Sequence, residues 1–250
     1  MVNVFEFSKV FFSYSASNPL LEKFSLVIEK GSFVAIVGPN GAGKSTLIKL
    51  CVGLLRPQLG NIRILGMPFH QFNNWSKIGY IPQGNSYNRN FPATVRKLVA
   101  MGRVAPLGIG KRLRSKDYGM IDEALELVGL KDYKSSMIAE LSGGQLQRAL
   151  IARTLAAKPE ILILDEATSG VDSKAKDEIY ALLKNMNSKL GLSIIMVSHD
   201  VDQVLQYVDK VASINHGLHY YGDAHEFRKK NVAEQGSDLV DEDRGKLLHA

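Results

Sequence analysis

The run Gly38-Pro39-Asn40-Gly41-Ala42-Gly43-Lys44-Ser45 constrains this chain more than any other stretch. It follows the apolar residues 33–37 and precedes an amphipathic segment, so a buried strand has to turn sharply into a helix. Glycines at this spacing let successive backbone N–H groups converge on phosphate oxygens, and the helix N-terminus adds a favourable dipole. Lys44 supplies a point charge near the outer phosphates, the Ser45 hydroxyl can ligate Mg2+, and Thr46 completes the phosphate-binding set.

Short aliphatic runs at 33–37, 161–164, 194–197 and 211–214 read as buried parallel strands. Helical patterns at 44–55, 142–157, 174–190 and 201–207 alternate with them, which predicts a layered α/β sheet with crossover helices. Alternation in 2–7 and the turn-punctuated stretch 59–66 predict an antiparallel β part at the N-terminus. Between about residues 84 and 140 strand signals stop, and the patterns at 94–101 and 118–128 predict a mostly helical insertion. The expected organisation is one domain over 1–225 and a loosely held tail over 226–250, where apolar periodicity gives way to Lys, Glu, Asp and Gly.

Two aliphatic strands end in groups able to act on a phosphate. Residues 161–164 run into Asp165 and Glu166 at the carboxyl edge of the sheet, where α/β proteins bind ligands. Asp165 is expected to hold magnesium through water, and Glu166 to polarise the water that attacks a γ-phosphate. Residues 194–197 lead to Ser198-His199-Asp200, and His199 can donate a hydrogen bond to the same phosphate. Gln83, after Tyr80-Ile81-Pro82, can ligate magnesium and joins the helical insertion to the core. Leu141-Ser142-Gly143-Gly144-Gln145 opens another helix with free N–H groups and a serine hydroxyl, a second phosphate-facing element.

Composition narrows the setting. Of 250 residues 31 are basic and 25 acidic, and a net charge of +6 is too mild to single out nucleic acid. The basic cluster of Arg103, Lys111, Arg112, Arg114 and Lys116 reads as a solvated loop. Cys51 is the one cysteine, which excludes an intramolecular disulfide framework and suits a reducing compartment. No apolar run approaches the roughly 18 residues of a membrane span, and no basic-then-apolar leader opens the chain.

Taken in order and with these gaps, the phosphate loop, Gln83, Leu141 to Gln145, Asp165-Glu166 and His199 resemble the motif set of ABC ATPases over residues 1 to about 225. The resemblance implies a phosphate-loop ATPase core with a helical subdomain inserted between Gln83 and Ser142. It places Tyr14 where an aromatic stacks on adenine, with a turn over residues 17–20 after it. Asp172 falls in the loop that crosses between subunits. The resemblance further implies a head-to-tail homodimer with each ATP held between one phosphate loop and the opposite Ser142, Gly143, Gly144 and Gln145. An integral membrane permease would be driven by it, at the cytoplasmic face of the membrane, with an extracytoplasmic substrate-binding protein as an indirect partner and no nucleic acid. Ala167 and Val171 depart from the commoner Pro and Leu without removing a charged or phosphate-contacting group.

Phe91-Pro92-Ala93-Thr94-Val95, Ser169-Gly170-Val171-Asp172 and the stretches 211–215 and 218–222 are similar to the ATPases of zinc and manganese importers, the zinc type above all. Manganese or iron-chelate import, and a soluble ABC ATPase of iron–sulfur cluster assembly, are the rival readings. A nucleic-acid ABC ATPase would carry a long coiled-coil or zinc-binding, cysteine-bearing insertion, whereas the gap here spans about a hundred residues with Cys51 as its single cysteine.

Overall fold

Strands with no polar alternation bury both faces, and three such strands form the centre of this protein. Every residue is buried in β3 (Phe33–Val37), β7 (Ile161–Asp165) and β8 (Ser193–Val197). The computed structural model describes residues 2–15, 19–84, 91–108, 110–168 and 170–230. Within them, β6 (Ile78–Ile81) and β9 (Lys210–Ile214) extend the parallel sheet, and β10 (Leu218–Asp223) closes it as an antiparallel edge. The strand order is β10-β9-β3-β8-β7-β6.

Side chains alternate across this sheet and feed two cores. Val34, Ile36, Ile163, Ile195 and Val197 pack with Leu47 and Ile48 of α1 (Lys44–Cys51) and with the antiparallel sheet. That second sheet has the order β2-β1-β4-β5, from β1 (Asn3–Ser13), β2 (Pro19–Glu29), β4 (Leu59–Ile64) and β5 (Met67–Pro68). Phe33, Ala35, Leu162, Leu164, Ile194 and Met196 face the other way, against α5 (Gly143–Leu155), α6 (Ser173–Leu190) and the inserted helices.

The insertion consists of α2 (Val95–Ala100), α3 (Val104–Leu107), α4 (Ser115–Leu127) and short 3-10 turns. A buried ion pair fastens it. Arg103 donates to Asp117 Oδ1 from Nε at 3.1 Å and Nη2 at 2.9 Å, and its Nη1 reaches the Ala156 carbonyl at 2.8 Å. Arg103 is thus no part of a solvated basic loop; its guanidinium is consumed in joining α4 to the end of α5.

Several boundaries differ from expectation. β1 continues to Ser13 because its register shifts between Phe7 and Val10, with Lys9 at φ 48°, which breaks the alternation a sequence pattern relies on. β2 carries comparable irregularity, and Leu20, expected in a turn, lies in this strand, which starts opposite Ser13 at Pro19. α1 stops at Cys51 ahead of Gly53 at φ 74°, and α7 (Val201–Val204) is a single turn. Residues 224–230 are helical, and Phe227 is buried with its ring 5.1 Å from that of Tyr220, so the first residues of the expected tail pack on the core. The remainder of that tail lies outside the described residues.

Gly102 marks the tightest helix contact of the insertion, since a Cβ there would stand 1.8 Å from the Arg153 carbonyl oxygen. Gly102→Ala is therefore expected to lower stability by about 1–3 kcal/mol, measured by urea unfolding, because α5 has to move.

Candidate functional site

Parallel register assembles the site. Ile36, next to last in β3, pairs with Val197 of β8, which pairs in turn with Asp165 of β7, so Gly38, Glu166 and His199 leave the sheet at one edge. The phosphate loop fits that edge only with glycine: at Gly38, φ 150°, a Cβ would meet the Ile214 carbonyl oxygen at 2.0 Å. At Gly43, φ 96°, it would meet Leu20 O at 3.0 Å. Lys44 is 6% exposed and donates to the Gly38 and Pro39 carbonyls, both at 2.8 Å. Burial pushes its ammonium below the usual lysine range, while Glu166 and Asp165 pull it back up.

A cavity of about 550 Å³ opens here, lined by Leu20, residues 40–46, Gln83, Glu166 and His199. It brings Asn40, Gly41, Ala42, Gly43, Lys44, Ser45 and Thr46 together with the three groups expected to act on a phosphate. Leu20, expected only as part of a turn, forms one of its walls.

Glu166 takes a left-handed backbone, φ 49°, which a non-glycine residue adopts at a cost and which recurs at functional turns. Its Oε1 lies 2.5 Å from His199 Nε2, and its Oε2 accepts from Gln83 Nε2 at 2.5 Å. Asp165 is 3% exposed, and its buried Oδ1 has no hydrogen-bond partner among the described residues. Burial first, then the Glu166 charge, raises the Asp165 carboxyl above its usual range against the pull of Lys49 and Lys44. An orphaned carboxylate oxygen beside a phosphate loop and the Ser45 hydroxyl is a donor set suited to a hard cation.

Other expected residues stand outside this cavity. Tyr14 is 59% exposed, its ring edge-on to Phe12 at 5.0 Å, an aromatic face open to a stacking partner. Ser142 caps α5: its Oγ accepts from Gln145 N at 3.2 Å while Gln145 Oε1 accepts from Ser142 N at 2.9 Å. Gly143 and Gly144 form the first turn, and a Cβ on Gly144 would press on Ala175 Cβ at 3.0 Å. Asp172 caps α6, accepting from Ala175 N at 3.0 Å.

The model of the ABC transporter family matches residues 21–169. This chain belongs to the ABC transporter family. It is an ATPase of the ATP-binding-cassette type. The chain is 40% identical over 245 residues to the zinc uptake system ATP-binding protein ZurA of Listeria innocua, covering 98% of this chain and 95% of that protein. It is 39% identical over 220 residues to the high-affinity zinc uptake system ATP-binding protein ZnuC of Bacillus subtilis, covering 86% and 93%. Among solved structures, cbiO1 of Clostridium perfringens, part of the ABC transporter complex cbiONQ, superposes over 100% of both chains with a TM-score of 0.83 and 29% identity. A putative metal-chelate type ABC transporter in an inward-facing conformation matches 90% of this chain and 84% of its own, with a TM-score of 0.78 and 28% identity. No helix among the described residues is long and apolar enough to cross a membrane.

A carboxyl group raised in the fold weakens the fold as pH climbs through its raised value, and has no effect below the ordinary carboxylate range, where both states are protonated. Asp165→Asn is accordingly expected to raise the melting temperature of the nucleotide-free protein at pH 7 by about 2 °C, a gap that closes below about pH 4. ATP with magnesium should stabilise the parent and not the variant in the same thermal melts.

Proposed function

We propose that this chain is the ATP-hydrolysing motor subunit of an importer for a divalent metal ion, zinc in the first instance, working on a separate membrane permease at its cytoplasmic face. The observation that carries the reading is the near full-length identity of 40% to zinc-uptake ATP-binding proteins. The ATPase makes no contact with the metal ion, so its cargo follows from the permease with which such chains pair. Similarity to the metal-chelate transporter keeps an iron-chelate cargo as the second reading, with manganese beside it.

Within the cavity the phosphate-loop N–H groups and the Lys44 ammonium cradle the phosphates, and Tyr14, outside it, stacks on the adenine. The water oxygen attacks the γ-phosphorus while Glu166 takes a water proton; the bond from that phosphorus to the bridging oxygen breaks, leaving ADP and inorganic phosphate. His199 donates to the γ-phosphate and holds Glu166 in place. Mg2+ would be held by Ser45 Oγ, Gln83 and, through water, Asp165, and would neutralise charge on the phosphates.

Ser142, Gly143, Gly144, Gln145 and Asp172 stand off this cavity, which suits a two-fold dimer in which the second copy supplies them. A bacterial ABC transporter cassette solved as a dimer, at 26% identity and a TM-score of 0.72, is compatible with that arrangement. Closure then depends on a γ-phosphate touched from both sides, and its loss releases the dimer. The motion passes through Gln83 and the helical insertion to the permease, which receives its cargo from an extracytoplasmic binding protein.

Uptake of radioactive zinc, with manganese as competitor, tests cargo and motor together. Cells lacking this protein should lose zinc uptake, and the gene carrying Lys44→Ala should not restore it; intact zinc uptake in those cells would overturn the zinc reading. Glu166→Gln is expected to reduce ATP turnover at least a hundredfold, on the scale of losing a general base, and to accumulate an ATP-bound dimer seen by gel filtration. Unchanged turnover would remove Glu166 from the role of base.

A further inference from the structure

Glu166 and His199 meet at 2.5 Å, yet each stands on a loop of its own, so the pair survives only if the two loops stay in register with each other. One helix reaches both. On the His199 side, Asp177 Oδ1 of α6 accepts from Gln203 Nε2 at 2.9 Å and from Tyr207 Oη at 3.1 Å. Gln203 belongs to α7, the turn that follows His199-Asp200. On the Glu166 side, the fully buried Tyr180 of α6 places its hydroxyl 3.1 Å from Thr168 Oγ1, two residues beyond Glu166. The rings of Tyr180 and Tyr207 lie 5.5 Å apart, which joins the two sides.

These contacts close a ring from Glu166 through Thr168, Tyr180, Tyr207, Asp177 and Gln203 to His199 and back to Glu166. Residues 177 and 180 are three apart on α6 and so present one helical face to both loops. Lys176 adds a contact to Asp200 Oδ2 at 3.2 Å, but with 23% and 44% of the two side chains exposed it is a weak tie. The Asp177 carboxylate is the stronger one, since a single oxygen serves two donors and anchors the turn behind His199 to α6.

We propose that Asp177, with Tyr180 and Tyr207, is a positioning residue that holds His199 against Glu166, so that α6 sets the geometry of the hydrolytic pair. The inference deepens the ATPase reading above and rests on it for its catalytic consequence.

Asp177→Ala removes the shared acceptor, and Asp177→Asn keeps an oxygen at the same position. Steady-state ATP hydrolysis by the full chain should show kcat down roughly tenfold in Asp177→Ala with KM for ATP within about twofold, and near-parental kcat in Asp177→Asn. The NMR signal of the His199 ring Cε1–Hε1 group, identified by its loss in His199→Ala, should move in Asp177→Ala and return in Asp177→Asn. An unmoved His199 signal, or a lowered melting temperature with kcat per folded molecule unchanged, overturns the proposal. Tyr207→Phe deletes one hydroxyl from an otherwise intact core and carries the same comparison if Asp177→Ala does not fold. The NMR arm needs no hydrolysis, so a parent without ATPase activity would sink the functional reading while the positioning role is still decided.

Discussion

The parallel register of β3, β7 and β8 is the constraint on which the rest of this molecule depends. Evenly spaced ladders set Ile36 beside Val197 and Asp165 beside Val197, so three strands run out at one level. The phosphate loop, the acidic strand end and the histidine loop then have to share a single edge. Shifting one strand by a residue would turn Asp165 from one sheet face to the other and part Glu166 from His199. Both cores are built on that register, since the buried side chains of these strands alternate between them.

Charge inside the site is arranged at the expense of the fold. Asp165 is buried with one oxygen unmatched, and Lys44 is drawn into the loop with its charge disfavoured by burial. Glu166 adds backbone strain and sits next to a like charge. A bound nucleotide would supply a partner for the Lys44 ammonium, so binding energy is available where the apo protein is least comfortable. The insertion, by contrast, is secured by a saturated buried pair, Arg103 with Asp117, and by close helix contact at Gly102.

Much of the site was legible in residue order alone. The phosphate loop, Asp165-Glu166 and Ser198-His199 each followed an unbroken aliphatic run, and a strand buried on both faces is the clearest short pattern a parallel sheet leaves. Gln83 was a weak sequence signal, and its place opposite Glu166 emerged from packing. β1 and β2 were the least legible, because bulges at Lys9 and Lys23 put the alternation out of phase, and Leu20 was hidden as a cavity wall for the same reason.

Local chemistry therefore determined which groups are proposed to act on a phosphate: glycine spacing, one lysine, two acids and a histidine, each tied to the end of its own element. Tertiary structure decided how they meet. That Glu166 is gripped from both sides by Gln83 and His199, that Asp165 keeps an unmatched oxygen, and that Arg103 is spent inside the insertion all depend on residues tens of positions apart. The reason is physical: periodicity reports which face of an element is buried, whereas pair geometry and desolvation depend on what the fold sets against that face.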